Sequence, residues 1–375
     1  MLPALVSAWL AASCGKNDVR RVVTPAFYHW KTVLSLSSAE LACLDSLRCQ
    51  KLYVKVLDIG RAPASGAIQP YSLLDIADTA GLARFEVVPT VFIVNEVFKN
   101  IEEEKNEWLA RKVASALVAP EAEGIMPQTN LSRHPFFVGQ PESKTREIQF
   151  DCDWTPSTRD AFFQFLEKIK KHLPSHVRLS ATIRLHQYKF PQKTGVPPVE
   201  RGMLMFYNTG NIEHANAANS IFRSEDVRKY LVGAPKKYPL PLDLALPIFS
   251  WALIYRDGEL WKIIPEAPEQ ALSDTSRFRP SRPETFGGTH PTAPLFHIQK
   301  GTFLSGHYLR PGDLLRVEAM APDTLREAAR LAATAHLAND ATLAFFHLDT
   351  TTVRRYPVQL LDSVCQLVQF PATNK

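Results

Sequence analysis

Strand signals and helix signals alternate along almost all of this 375-residue chain, and that rhythm limits its fold more than any other feature. Apolar runs of strand type fall at 22–30, 51–58, 86–94, 147–154, 178–186, 202–207, 242–251 and 342–348. Helical stretches lie between most of them. Ser37-Ser38-Ala39-Glu40 has the form of a capping box and leads a helix to about Cys49. Residues 101–118, 224–231 and 322–336 read as helices, with a short one near 72–80 and a long loop over 119–145. Thr155 reads as an N-cap and Pro156 as the first helical residue of a helix reaching about His172, because proline's missing N–H is an orphan there anyway. Eight strands spaced by helices predict an α/β chain: a (β/α)8 TIM-type barrel with a long insertion after strand seven. An open doubly wound sheet would place a glycine-rich phosphate loop after the first strand, where Tyr28-His29-Trp30-Lys31 stands instead.

The insertion, 252–320, reads as a subdomain or long loop. It opens on a hairpin over 251–261 with Arg256-Asp257-Gly258-Glu259 as its turn, and a proline-rich stretch, 265–294, follows. The barrel accounts for 22–375. A net charge of +5 spread without an aromatic-interleaved basic stripe argues against nucleic acid as a partner. No phosphate loop, HxH or HExxH occurs, so the motifs imply neither a cofactor nor a metal. No apolar run reaches the roughly 18 residues of a membrane span.

Residues 1–21 differ from the rest. Leu2 to Ser13 is almost wholly apolar and small, and Leu10-Ala-Ala-Ser-Cys14-Gly15 resembles the lipobox of bacterial lipoproteins, without the usual basic start. The resemblance implies a signal and tether, lipidation at Cys14, and an exported protein anchored in the membrane of the cell envelope. Cys43, Cys49, Cys152 and Cys365 lack metal-site spacing and read as buried free thiols, Cys43 and Cys49 on one helix.

Strand parity sorts the candidate site. In Glu147-Ile-Gln-Phe-Asp-Cys-Asp-Trp154, Ile148, Phe150, Cys152 and Trp154 share one face, and Gln149, Asp151 and Asp153 the other. The apolar face belongs under helices, so the acidic face points into the lumen. By the same rule Tyr53 and Lys55 point inward from the second strand, and Ser180, Thr182, Arg184 and His186 from the fifth. Asp58 has the parity of outward Val54 and Val56, which argues against it unless the strand has ended. An unpaired buried charge costs several kcal/mol, so Lys55, Arg184, Asp151 and Asp153 should pair. The strand ends at one rim add Tyr28, His29, Trp30, His186, Gln187, Tyr207, Asn208, Trp251, His347 and Asp349. Aromatic rings stack on the apolar face of a pyranose and the polar groups bond its hydroxyls, so the predicted ligand is a saccharide.

Phe150-Asp-Cys-Asp-Trp154 with Met203-Leu-Met-Phe-Tyr-Asn208 resembles the family-18 chitinase barrels, which carry Asp-x-Asp-x-Glu on strand four and Met-x-Tyr-Asp on strand six. The resemblance implies that Asp151 and Asp153 stand for the two aspartates, Tyr207 for the tyrosine, Asn208 for the last aspartate and Trp251 for a platform tryptophan. Thr155 occupies the place of the catalytic glutamate and cannot donate a proton as a carboxylic acid does. The chain as a whole more closely resembles uncharacterised bacterial lipoproteins with glycosidase-like barrels, through Tyr28-His-Trp30, Leu52-Tyr-Val-Lys-Val56, Asp151-Cys-Asp-Trp-Thr155 and Arg184-Leu-His-Gln-Tyr188.

Three functions stay open at this point. A glycoside hydrolase needs an acid and a second carboxylate about 5 to 10 Å apart. Asp151 and Asp153, at i and i+2, have Cα atoms about 6.5 to 7 Å apart. Asp153, nearer the rim, is the general-acid candidate; Asp151 is held ionised by Arg184 or Lys55; Asp349 is the alternative partner and Glu200 a reserve acid. The second function is a non-catalytic saccharide-binding lipoprotein on a degenerate barrel, which Thr155 favours. The third is a metal-dependent hydrolase built from Asp151, Asp153, His186 and His347.

Overall fold

The computed structural model describes residues 21–78, 81–118, 144–266, 270–281, 285–286, 290–291 and 293–370. The expected leader with Cys14, all but the last two residues of the expected loop over 119–145 and part of the proline-rich stretch lie outside these residues.

Eight parallel strands close into a ring. They are Thr24–His29, Lys51–Arg61, Glu86–Ile93, Glu147–Asp151, Arg178–Arg184, Arg201–Met205, Leu242–Pro247 and Thr342–Phe346. Hydrogen bonding runs from the first strand to the eighth and back down to the second, which pairs with the first again. The fold is thus the (β/α)8 barrel that the alternation predicts. Its outward faces carry apolar side chains under helices. Phe150 of the fourth strand meets Phe165 of the helix Arg159–His172 edge-on, and Phe98 packs on Phe162 and Phe165. The capping box is present in both directions: Ser37 Oγ accepts from Glu40 N, and Glu40 Oε2 from Ser37 N.

Several boundaries differ from the sequence reading. The fifth strand stops at Arg184, and Leu185–Lys189 is a short helix. The seventh strand stops at Pro247; the apolar run continues unbroken into Ser250–Arg256, so hydrophobicity merges two strands that belong to different sheets. The helix after the fourth strand begins at Arg159, because Thr158 N and Arg159 N both bond back to Thr155 O in a tight turn. The expected helix near 72–80 is instead an edge strand, Ile68–Leu73, paired antiparallel with the overlong end of the second strand, followed by the short strand Asp75–Ile76. Cys49 lies past the end of the helix Ser38–Ser46, and all four described cysteines are free and buried.

Between the seventh and eighth barrel strands stands a separate five-stranded antiparallel sheet, with Ser250–Arg256 flanked by Glu259–Pro265 and Leu314–Ala319. It has its own core of Ala252, Ile254, Ile264, Phe278, Ile298 and Leu315. A buried ion pair anchors it: Arg316 Nε lies 2.8 Å from Glu318 Oε1, with both side chains shut off from solvent. Arg316 donates to the carbonyls of His214 and Asn211, and Glu318 accepts from Ser220 Oγ. The 209–223 loop after the sixth barrel strand is thereby held against the inserted sheet. Among the described residues, no helix is long and apolar enough to cross a membrane.

Candidate functional site

The lumen is polar at both ends. At the strand N-termini, Lys51 Nζ pairs with Glu147 Oε2 at 3.0 Å, and Ser180 Oγ donates to the same carboxylate at 2.7 Å. Arg201 grips Asp243 with two bonds of 2.7 and 2.9 Å. These pairs plug the bottom with satisfied charges, as burial requires. Glu200 precedes the sixth strand at this same end, bonded to Lys170 Nζ and Leu179 N, and so stands far from the opposite rim as an acid. Above the plug, Tyr28 stacks on Tyr53 at 4.9 Å and donates to Gln149 Oε1. Tyr28 is therefore a lumen residue, fully buried, and not a rim residue.

The charged layer at the strand C-termini is organised by Arg184. Its Nη2 lies 2.9 Å from Asp153 Oδ2 and its Nε bonds the other oxygen, making a fork-to-fork pair. Asp153 sits two residues past the end of its strand, with 55% of its side chain exposed. Asp151 is buried beneath, and Thr182 Oγ1 donates to its Oδ1 at 2.6 Å. Burial raises the Asp151 pKa; Arg184 opposes the rise and Asp153 adds to it. Burial thus outweighs Arg184 in setting the direction of the Asp151 shift, where the sequence reading gave the cation the larger influence. Burial acts against the Arg184 charge, but Asp151 and Asp153 outweigh it and push the guanidinium pKa up.

Lys55 does not join this group. Its Nζ bonds Asp58 Oδ2 at 2.6 Å and lies 5.5 Å from the Trp30 ring centre. Asp58 reaches the lumen side because the ladder with the third strand slips between Lys55 and Leu57. That bulge inserts Val56 and reverses the parity of everything after it. Parity therefore excluded Asp58 wrongly. Its Oδ1 is buried without a hydrogen-bond partner, and its charge contributes to raising the Asp151 pKa. No residue type in the sequence marks such a bulge.

An open cleft of about 370 Å³ runs along this rim, lined by Asp153, Thr155, Arg184, His186, Tyr207 and Asn208, with Tyr230 of the helix Ser224–Leu231 on its wall. Tyr207 is almost buried, 3.0 Å from Met205 Sδ, and burial raises its pKa against the pull of Arg184. Asn208 holds a left-handed φ of 55° and faces the cleft. His186 lines the cleft with its ring part-covered, and that desolvation lowers its pKa while Asp153 opposes. Tyr230 was missed because a tyrosine on a short polar helix carries no site signal. A larger cavity of about 600 Å³ lies between Asn211, His214 and Gly258 and contains no carboxylate in its lining.

Other predicted site residues fall elsewhere. Gln187 is fully buried, accepts from Arg184 N at 2.7 Å and donates to Trp154 O, so it fixes the chain turn behind the cleft. Trp251 belongs to the inserted sheet, not to the seventh strand, and its Nε1 donates to Glu318 Oε2 at 2.6 Å. Trp30 packs edge-on against Phe346 at the barrel mouth. His29 points away from the lumen, buried, its pKa lowered to about 4 by desolvation, with Lys31 and His347 adding to the fall. Asp349 is buried as the N-cap of Thr350–Arg355, accepting from Thr352 N and Thr352 Oγ1 at 2.7 Å each. It lies with His347 and Glu266, not with Asp151 or Asp153. The four-residue metal set of Asp151, Asp153, His186 and His347 is accordingly split between two places.

No family model matches the chain, and no curated protein matches it. Solved structures do. The spore cortex-lytic enzyme SleL of Bacillus megaterium QM B1551 is 12% identical, covers 92% of this chain and 74% of its own, and superposes with a TM-score of 0.51. A family GH18 chitinase from Chromobacterium violaceum is 10% identical, with 95% and 72% covered and a TM-score of 0.47. At such identities the likeness to SleL shows a shared barrel fold.

Proposed function

We propose that the rim cleft binds a saccharide chain, on a barrel of glycosidase type. The observation that carries this reading is the Asp153–Arg184 pair in an open cleft, flanked by Tyr207, Asn208 and Tyr230. Paired charges with free lone pairs and N–H groups bond sugar hydroxyls without a net charge preference, and an aromatic ring nearby supplies a stacking face. Thr155 lines the same cleft where the resembled family carries its acid, and Asp153 is tied up by a guanidinium, so binding is better supported than proton transfer.

Hydrolysis is the second reading, favoured by Asp151, whose pKa burial moves upward, the direction a general acid needs. The test uses oligomers of β-1,4-linked N-acetylglucosamine and a wider glycan panel, with calorimetry for affinity and a fluorogenic substrate for turnover. Asp153→Asn in a hydrolase keeps affinity and loses turnover, whereas a binding protein has no turnover to lose. Tyr230→Ala should weaken binding about tenfold, equivalent to about 1.4 kcal/mol. Failure of every glycan to bind saturably defeats both readings.

The Leu10-Ala-Ala-Ser-Cys14 segment supports a further part of the proposal: export and anchoring of the protein in the bacterial cell envelope through a lipid on Cys14. Metabolic labelling with a fatty acid tests it, since Cys14→Ala should abolish the label and free the protein from membranes.

A further inference from the structure

His347 and Asp349 follow the eighth barrel strand, and Glu266 follows the inserted strand Glu259–Pro265. Their ligand-type atoms, one per residue, all lie within 4.8 Å of one another. His347 Nδ1 is 3.5 Å from Asp349 Oδ2 and is buried with no hydrogen bond. Two ligands at the usual 2.0–2.1 Å from a tetrahedral ion lie about 3.4 Å apart, so that edge already has metal-ligand dimensions. Asp349 is buried, and among the described residues its oxygens meet the neutral Thr352 donors and His347. Such bonds orient a ligating carboxylate and leave lone pairs for an ion. The ammonium of Lys31, 3.9 Å from Glu266 Oε1, is nearly half exposed, so water can take over its solvation. His29, electrostatically coupled to His347, is itself fully buried with an unpartnered Nδ1. Two carboxylates and an imidazole nitrogen converge here, with another imidazole close by.

We propose that Glu266, His347 and Asp349 bind a first-row divalent cation that ties the inserted sheet to the barrel mouth. Mixed imidazole and carboxylate donors suit Zn²⁺ or Mn²⁺ better than Ca²⁺, which prefers oxygen alone. The sequence motifs miss the site because Glu266 stands 81 positions before His347, so no short spacing announces it. Glu266 N donates to Ser250 O, which pins the backbone of that ligand to the first inserted strand. The ion would add a bridge to the one made by the 209–223 loop, which the sheet's buried Arg316–Glu318 pair holds in place.

The test is calorimetric titration of the full chain, stripped with a chelator, using Zn²⁺ alone at neutral pH. One saturable site and a raised thermal midpoint are expected. Glu266→Gln is exposed enough to leave folding intact and should weaken binding at least about tenfold, as should His347→Ala. His172→Ala, at a surface His–Glu pair, should leave the affinity unchanged. Absence of saturable binding overturns the proposal. So does binding that survives both Glu266→Gln and His347→Ala unaltered, since the ion would then sit elsewhere.

Discussion

Arg184 clamps Asp153 with Nε and Nη2, one edge of its guanidinium, while standing beside buried Asp151, so one cation serves two carboxylates. Removing it should affect the two differently. Asp153 is exposed and can be solvated; Asp151 cannot. Arg184→Met should therefore cost about 3 kcal/mol in urea unfolding, the range for stripping a buried charge of its partner. Asp151→Asn in the same background should recover part of that loss, and a double-mutant cycle measures how much. A cost below about 0.5 kcal/mol would mean that Arg184 serves the surface pair alone.

Trp251 separates a platform residue from a structural one. Its ring packs against Phe249, and its Nε1 donates to fully buried Glu318. A hydrogen bond to a buried charge contributes about 1.5–3 kcal/mol. Trp251→Phe keeps an aromatic face and deletes the donor, so it should destabilise the protein by about 2 kcal/mol while leaving saccharide affinity near wild type. Chemical unfolding and calorimetry read the two effects independently. Lost affinity with unchanged stability would restore the platform role.

The barrel was legible because its strands are long, apolar and regularly spaced, and because lumen and helix faces impose opposite polarity. Phe150 outward and Asp151 inward follow from period two alone. What parity could not see are the places where period two breaks. The Val56 bulge carries Asp58 to the lumen side, and the turn after Asp151 frees Asp153 from the strand. The merging of 242–251 into one strand has a related origin, since Ile248 and Phe249, which belong to neither strand, are as apolar as the strands they separate. The partners of long side chains were less legible still. Lys55 chooses Asp58 over Asp151, and Asp349 caps a helix, because three-dimensional proximity and not residue type decides each pairing.

The Ser37–Glu40 box was fully legible, since capping depends on four consecutive residues. Ser37→Ala should cost about 1 kcal/mol, the usual value for losing an N-cap. Ser37 Oγ also lies 3.0 Å from Thr350 Oγ1, at the start of the helix that Asp349 caps. Thr350→Ala with Ser37→Ala should therefore cost less than the sum of the two single changes. Equal sums would show that the two hydroxyls do not cooperate.

Asp151 should also make stability depend on pH in a distinctive direction. Its pKa in the folded chain lies above the ordinary carboxylate value of 3.8, chiefly through burial. Between the unfolded and folded values the native chain holds more protons than the unfolded one, so stability falls as pH rises through that window. The stabilising contribution is complete below the unfolded pKa and gone above the folded one. Asp151→Asn mimics the protonated form at every pH, and its amide oxygen can still accept from Thr182 Oγ1. The variant should thus match wild type in acid and gain on it as pH climbs through that window, the gain levelling off above the folded pKa. Thermal midpoints of both proteins from pH 3 upward check the prediction. A variant that loses ground with rising pH would show that Arg184 and Thr182 outweigh burial and hold Asp151 ionised.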